Sequence, residues 1–580
     1  MIYVLSTNIT APLGFTTEQN YQAVRSGVSA LKRYDGLWGL PEPFAASLFN
    51  EEQKASLALD GYTFFESIAI HSVREALSHT QLDVTSPEVV LILSTTKGNI
   101  GQSPSEAAQR IAAAIGLTTT PIVVCNACVS GLSAQLLADH LLSAGLYDYA
   151  VVVGAEVQSK FIVSGFQSLK AVSDEPCRPF DIERNGLNPG EAAATIIFKK
   201  EDTSNSLHWY LVNGAICNDA FHISSPSPQA NGLTAAIETV MEGQDKSELA
   251  SICVHGTGTL YNDQMESKAI QQAGLSDIPL SALKGYYGHT MGAAGVLETI
   301  LTMRATDDGI VLPSKSFTEL GVSGKVSISS ECQQTNKISF MKLLSGFGGN
   351  NVAVLYSRDM DCPSLISAPR CKSIRVPSLI SAPRCKSIRE GARSKRFSII
   401  KTHTIRISSD QGKSLTDIYK QQIGNYPKFY KMDILTRLAF VASELLIKDM
   451  EETQVPRLIC APLLQRVQEE PAIILFNHSS SLVADHQFLK TISDGENFFP
   501  SPSVFVYTLP NITTGEIAIR HHLCGETSFC ILPEKDETLM QQILEVTLNA
   551  TNAKSIISGW IDAESETTFE CELSTYEKEF

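Results

Sequence analysis

Residues 1–358 are predicted to fold as a layered α/β domain, and three stretches carry that prediction. EVVLILSTT (Glu88–Thr96) and DYAVVVGAE (Asp148–Glu156) are short, rich in Val and Ile, and bounded by small or polar residues, as buried strands are. Between them, SGLSAQLLADHLLSAG (Ser130–Gly145) places Leu132, Leu136, Leu137 and Leu141 at helical spacing. Alternation of strand and helix implies a largely buried sheet covered by helices.

Composition bounds the rest. The chain has 580 residues, 43% of them hydrophobic, which is ample for a buried core and suggests several domains. A net charge of −16 argues against nucleic acid or an anionic membrane as main partner. No apolar run reaches the roughly eighteen residues of a membrane span. The opening MIYVLSTNITAPLGF has no basic leader before an apolar stretch, so no signal peptide is expected. Thirteen cysteines, an odd number without framework spacing, fit free thiols in a reducing compartment. A cytoplasmic location is expected.

Beyond residue 358 the character changes. PSLISAPRCKSIR occurs at Pro363–Arg375 and again at Pro377–Arg389, followed by EGARSKRF. Two copies are too few for a solenoid, so residues 359–401 read as a basic, disordered linker. Apolar periodicity returns near Thr402 and lasts to an acidic tail, which defines a second, smaller domain, 402–580.

The chemistry concentrates in the first domain. Cys128, in VVCNACVSGLSAQLL, follows an apolar run and opens the helix above. Unpaired N–H groups at a helix start favour a thiolate, although buried cysteines are commonly inert. Cys125 and Cys128 form a CxxC, but no second pair follows, so no metal is expected. ASICVHGTGT reads as a strand entering a glycine-rich turn that aims His255, Thr257 and Thr259 at a common space; turn formation alone would also explain the threonines. In LKGYYGHTMGAAGVLETI, Lys284 precedes His289, and Glu298 lies on the helix that follows, where a carboxylate could pair with Lys284. The glycines of GAAG also suit close helix packing. KLLSGFGGNNVAVL (Lys342–Leu355) surrounds Phe347 with glycines, which let backbone N–H groups approach a ligand.

In order and spacing, ACVSG, CRPFDIERNGLNPGEAAA (Cys177–Ala194), HGTGT with the ND and E that follow, GHT with GAAG, and GFGGNN resemble the β-ketoacyl synthases that act on carrier proteins. The resemblance covers almost all of residues 1–358. It implies the thiolase-like fold, layered α-β-α-β-α from two pseudo-symmetric halves, as a homodimer or a synthase/pseudo-synthase heterodimer. It implies decarboxylative Claisen condensation of an acyl thioester with a malonyl unit on acyl carrier protein, in fatty acid, polyene-pigment or polyketide-type synthesis. Cys128 would be the nucleophile, and His255 and His289 would donate to the enolate oxygen. Lys284, oriented by Glu298, would support the histidines electrostatically. Thr257 and Thr259 would bind the phosphopantetheine arm of the carrier protein, and no tightly bound cofactor is implied. Phe347 would gate the nucleophile, its N–H and that of Cys128 forming an oxyanion hole. Val129 and Cys125 stand where small hydroxyl residues are usual, and Ser345, after Leu344, where many members have an aromatic. A chain-length-factor-like, non-elongating partner is the alternative; it would be expected to lack the nucleophile or a histidine.

The second domain resembles the first half of such a synthase. TLPNITTGEIAIRHHLCGE matches the segment before the nucleophile, and SIISGWIDAESE the strand after it, the counterpart of VVVGAEVQS. The nucleophile position falls near Glu534, Cys530 lies inside the strand SFCIL, and neither HGTGT nor GHT follows. A degenerate, non-catalytic half is expected, with apolar surface that must be buried against a synthase domain.

Overall fold

The computed structural model describes residues 1–200, 208–358, 398–409, 412–452, 470–493 and 498–579. The duplicated PSLISAPRCKSIR segment lies outside the described residues. Two topologically similar units occupy residues 1–358. The first contains β1 (Ile2–Thr10), β2 (Val89–Ser94), β3 (Ile122–Val124), β4 (Tyr149–Glu156) and β5 (Ala192–Lys200). The second contains β6 (Tyr210–Asn218), β7 (Leu249–Cys253), β8 (Pro279–Ser281), β9 (Ser327–Ile328), β10 (Ser339–Ser345) and β11 (Asn350–Ser357). Among the described residues their sheets join where Ile2 pairs with Leu211 and Tyr3 with Tyr210, with the Val4 N–H also donating to the Trp209 carbonyl.

Helices layer these sheets. The first unit supplies α1 (Phe64–Ser78), α2 (Pro104–Ile115), α3 (Ser130–Ser143) and α4 (Lys160–Ser168); the second supplies α5 (Asn231–Met241), α6 (Leu260–Gln272) and α7 (Ala294–Asp307). The termini follow local chemistry. Thr63 and Glu66 form a capping box on α1, while α2 starts with Ser103 and Pro104 and stops at Gly116 in the left-handed region. α3 and α7 run through the middle, between the sheets, and are almost wholly buried. They touch where GAAG meets ACVSG: a Cβ on Gly295 would stand 2.7 Å from the Leu132 nitrogen. The α-β-α-β-α layering is the one implied by the motifs.

The C-terminal unit holds β12 (Ile399–Ser408), β13 (Ala472–Asn477), β14 (Thr527–Ile531), β15 (Ser555–Ser565) and β16 (Thr568–Lys578). Its helices are α8 (Ile434–Glu452), α9 (Leu482–Ile492), α10 (Pro502–Tyr507), α11 (Ile512–His521) and α12 (Glu537–Ala550). It begins at Ile399, within the stretch read as linker, because β12 already pairs with β16 there. It is also not a separate layer. One sheet of 16 strands runs β9-β8-β7-β10-β11-β6-β1-β5-β4-β2-β3-β14-β13-β15-β16-β12. From β1 to β3 and back from β14 to β12 the order is a mirror image, strand for strand. The junction is antiparallel: Val124 faces Cys530 and Val123 faces Ile531. Pairing the two edges removes both as sites for foreign strands.

Side chains seal the same junction. Phe529 donates its N–H to Asn126 Oδ1 at 2.8 Å, and the backbone N–H of Cys125 donates to the Phe529 carbonyl at 3.0 Å. Lys97, buried under the junction, meets Asp485 at 2.6 Å and Ser481 at 3.0 Å and also donates to the Thr508 carbonyl. Two apolar cores, one on each face of the sheet, draw residues from both sides of it. All nine cysteines of the described residues assigned a state are free. No helix among the described residues is long and apolar enough to cross a membrane.

Candidate active site

Three loop ends meet between the two sheets of residues 1–358. Cys128 stands on a one-turn 3₁₀ segment, Ala127–Val129, that leads into α3. The turn is strained: Ala127 has φ 48°, and Met291, beside His289, has φ 43°. Non-glycine residues in that region concentrate at functional sites.

His255 follows β7, and its backbone is clamped by two buried carboxylates of α6. Glu266 accepts the N–H groups of His255 (2.5 Å) and Gly256 (2.9 Å); Asp263 accepts those of Thr257 (3.0 Å) and Gly258 (3.1 Å). This is why HGTGT needs the acids that follow it. His289 is held from the other side: it donates its N–H to the Asn188 carbonyl (2.6 Å), and its own carbonyl accepts from Gly190 (3.0 Å).

One ligand atom from each of Cys128, His255 and His289 lies within 4.8 Å of the others, and the two imidazoles meet edge to face at 5.1 Å. The set is compact enough to enclose a metal ion as well as to do thiol chemistry. His289 Nδ1 accepts the Met291 N–H at 3.2 Å, so in the neutral ring the proton sits on Nε2. That nitrogen is buried without a partner among the described residues, as is Nδ1 of His255. Burial, reinforced by Lys284 and Lys342, holds both histidines well below the usual imidazole range. They are neutral, and His289 aims a spare N–H donor into the site.

The Cys128 thiol departs from expectation. Burial pushes it up to about 12, against the opposing pull of Lys284, so the resting group is a thiol and not the thiolate a helix start favours. Its proton needs an acceptor when the sulfur reacts; His289 carries its proton on Nε2 and uses Nδ1 to accept from Met291, so the neutral His255 imidazole is the available base.

Lys284 and Glu298 pair as the spacing suggested, at 2.8 Å. The structure adds Lys342, in the middle of β10, which takes the other Glu298 oxygen at 2.6 Å and donates to the carbonyls of Val254 (3.0 Å) and Cys253 (3.3 Å). Burial works to raise the Glu298 carboxyl, but the two lysines outweigh it and hold it below its ordinary value. The cluster beneath the histidines thus carries two cations and one anion. A lysine flanked by buried residues in ISFMKLLSG was its sequence signal.

Thr257 and Thr259 share a hydrogen bond of 2.8 Å; Thr257 is buried and Thr259 partly exposed, which places the pair at the rim. Phe347 is half-buried on the turn between β10 and β11, 6.2 Å from the Phe166 ring. A Cβ on the neighbouring Gly346 would stand 3.4 Å from the Cys128 nitrogen, so the turn lies directly on the Cys128 backbone. The Phe347 N–H makes no hydrogen bond among the described residues. Cys125 faces away, its thiol 3.3 Å from the Thr96 carbonyl.

No such cluster lies among the described residues of the C-terminal unit. α3 and α12 are both 14 residues long and occupy equivalent places, which puts Lys535 where Cys128 stands, one residue beyond Glu534. Lys535 lies within 4 Å of Glu537, Glu570 and Glu572.

The two-unit layering, with reactive loops meeting between pseudo-symmetric halves, defines a thiolase-like condensing-enzyme fold. Residues 67–204 match the β-ketoacyl synthase N-terminal domain and residues 210–318 its C-terminal domain, so this part of the chain is similar to β-ketoacyl synthases. It is 31% identical over 274 residues to 3-oxoacyl-[acyl-carrier-protein] synthase 2 of Mycobacterium leprae, covering 42% of this chain and 63% of that protein. The match thus spans a little under two thirds of that relative. Against the synthase 2 of Coxiella burnetii it is 23% identical, covering 62% of this chain and 99% of the relative. Among solved structures, a β-ketoacyl synthase from Burkholderia phymatum overlays 62% of this chain and 99% of its own, at 21% identity and TM-score 0.57. The PfaC keto synthase–chain length factor overlays 100% of this chain and 78% of its own, at 13% identity and TM-score 0.73. The last two show likeness of fold.

Proposed function

We propose that this chain carries out decarboxylative condensation of an acyl thioester with a malonyl thioester, both on the phosphopantetheine of an acyl carrier protein. The observation that carries the reading is the Cys128–His255–His289 cluster, with both imidazoles neutral and the His289 Nε2 donor unpaired. In the first half-reaction the Cys128 sulfur attacks the acyl carbonyl, an imidazole takes the thiol proton, and the carrier thiol leaves with a proton. The N–H groups of Cys128 and Phe347 are the donors for the oxyanion of that step. In the second, the malonyl carboxylate leaves as CO₂, and its bonding electrons form an enolate whose oxygen is met by the histidine donors. The enolate carbon attacks the Cys128 thioester, the C–S bond breaks, and the thiol regains a proton. Two cations under the histidines, against one carboxylate, favour the negative charge that develops.

Thr257 and Thr259 at the rim fit contact with the phosphopantetheine arm. The C-terminal unit, with lysine at the nucleophile position, fits a non-catalytic partner docked in cis, of the kind named beside the keto synthase in PfaC. A cytoplasmic setting accords with the free cysteines. The test is to incubate the chain with an acyl-carrier thioester and malonyl-carrier protein. The expected result is acyl mass on the Cys128 peptide and a 3-oxoacyl product; acylation elsewhere, or product from Cys128→Ala, would overturn the reading.

A further inference from the structure

The turn carrying Phe347 is held from the C-terminal unit. Asn511 is fully buried at the start of α11, and its Nδ2 donates to the Phe347 carbonyl at 2.8 Å. Asparagine at a helix start ordinarily caps its own helix. Here no side-chain cap bond forms, and Oδ1 has no partner among the described residues. The side chain is committed across the junction. The backbones close up behind it: a Cβ on Gly515, one turn along α11, would stand 2.7 Å from the Gly348 carbonyl. The Phe347 ring faces Phe166, which in turn packs at 5.3 Å on Phe505 of α10. Both ends of the residue are therefore placed, directly or through one neighbour, by the C-terminal unit.

We propose that Asn511 is a positioning residue for acyl transfer: by fixing the Phe347 carbonyl, it aims the Phe347 N–H at the oxyanion formed over Cys128. The C-terminal unit is then part of the machinery of the first half-reaction while having no nucleophile of its own. The inference rests on the reading of Cys128 as nucleophile. The Phe347 carbonyl shares its amide plane with the Gly348 N–H, which donates to the Ile223 carbonyl at 2.7 Å. The Phe347 N–H lies in the preceding plane, so loss of the Asn511 anchor reaches it by rotation about the Phe347 Cα, and a misplaced oxyanion donor acts like a missing one. Malonyl decarboxylation, in which the enolate oxygen is met by His255 and His289, does not use this turn; the later attack of the enolate on the Cys128 thioester does.

The experiment compares the two half-reactions in the full chain. Acyl transfer to Cys128 is timed by peptide mass, and malonyl decarboxylation by CO₂ release, for the parent, Asn511→Ala and Asn511→Asp. Asn511→Ala should slow transfer by at least about tenfold, a fraction of the roughly 10²–10³ lost with a whole oxyanion donor, and change decarboxylation by less than about threefold. Asn511→Asp has a distinct signature. Its neutral carboxyl can donate to the Phe347 carbonyl, whereas the carboxylate repels it. Transfer should therefore approach the parent at low pH and fall further behind as pH rises, a trend absent from Asn511→Ala. Equal loss of both half-reactions, or transfer within twofold of the parent in both variants, overturns the proposal. If Asn511→Ala does not fold, the pH trend of Asn511→Asp decides alone. Failure of the parent to acylate Cys128 would instead overturn the function itself.

Discussion

Glu298→Gln removes the one carboxylate that two buried lysines share. Lys284 and Lys342 sit on its two oxygens at 2.8 and 2.6 Å, with side chains 1%, 0% and 3% exposed for Lys284, Lys342 and Glu298. Ammonium groups so placed are on the order of 5 Å apart, and at an effective dielectric of about 20 they repel by about 3 kcal/mol. Each also loses an attraction of about 6 kcal/mol at its pairing distance. Discharging one lysine at pH 7 costs only about 5 kcal/mol against its ordinary pKa. The folded variant therefore releases a proton, and its stability at pH 7 falls by about that amount. The unfolded chain keeps that proton until pH approaches about 10, so it binds more protons than the folded state, and stability must rise with pH, by about 1.4 kcal/mol per unit. Between pH 7 and 9 the variant should recover about 3 kcal/mol. The parent has no such rise from this cluster, since Glu298 is held ionised and Lys342 is held above its ordinary value. Lys342→Met leaves a neutral Lys284–Glu298 pair and two carbonyls short of a donor. Its cost is about 3 kcal/mol and flat in pH. Urea unfolding followed by circular dichroism at pH 7, 8 and 9 measures all three. A flat Glu298→Gln profile, or a larger loss in Lys342→Met, would refute the shared-carboxylate account.

Other consequences are simpler to read. His255→Ala and His289→Ala should each cut malonyl decarboxylation by roughly a hundredfold or more, with a smaller effect on Cys128 acylation; a parental decarboxylation rate in either removes that histidine from the enolate site. Because both imidazoles are held well below the usual range, the parental decarboxylation rate should persist below pH 6.5, and a fall centred there would show that an ordinary histidine controls it. Lys535→Ala should leave acyl transfer and product formation at the parental rate, and a severalfold loss would give the C-terminal unit chemistry of its own.

What the sequence discloses and what it hides divide along a physical line. Cys128, His255 and His289 are legible because each sits at the end of an element, in a turn whose glycines and acids are written next to it. Lys284 and Glu298 are legible because a lysine before the GHT turn and a carboxylate on the helix after it are close in sequence and of opposite charge. Lys342 is less so, since a strand gives no sign of which buried charge its lysine meets. Asn511 is hidden altogether: its partner is 164 residues away, joined through a backbone carbonyl that leaves no mark in the pattern of side chains. The C-terminal unit shows the same limit in reverse. Its strands resemble a first half, and from that resemblance an exposed apolar face would follow wherever the matching half is missing. The structure resolves this on α12. Ala134, Ala138 and Leu142 of α3 are fully buried, in the helix layer between the sheets of residues 1–358. Gln541, Glu545 and Asn549 hold the equivalent places on α12, and they are exposed or half-buried. The apolar side of that helix, Leu539, Ile543 and Leu544 among it, joins the core shared with residues 1–358. Three polar residues at a spacing of four thus let a half-unit stand without its other half, while the β3–β14 junction and the grip on Phe347 tie it to the site. A unit adapted in this way is built to remain a half, and it meets residues 1–358 along the edge that leads into Cys128.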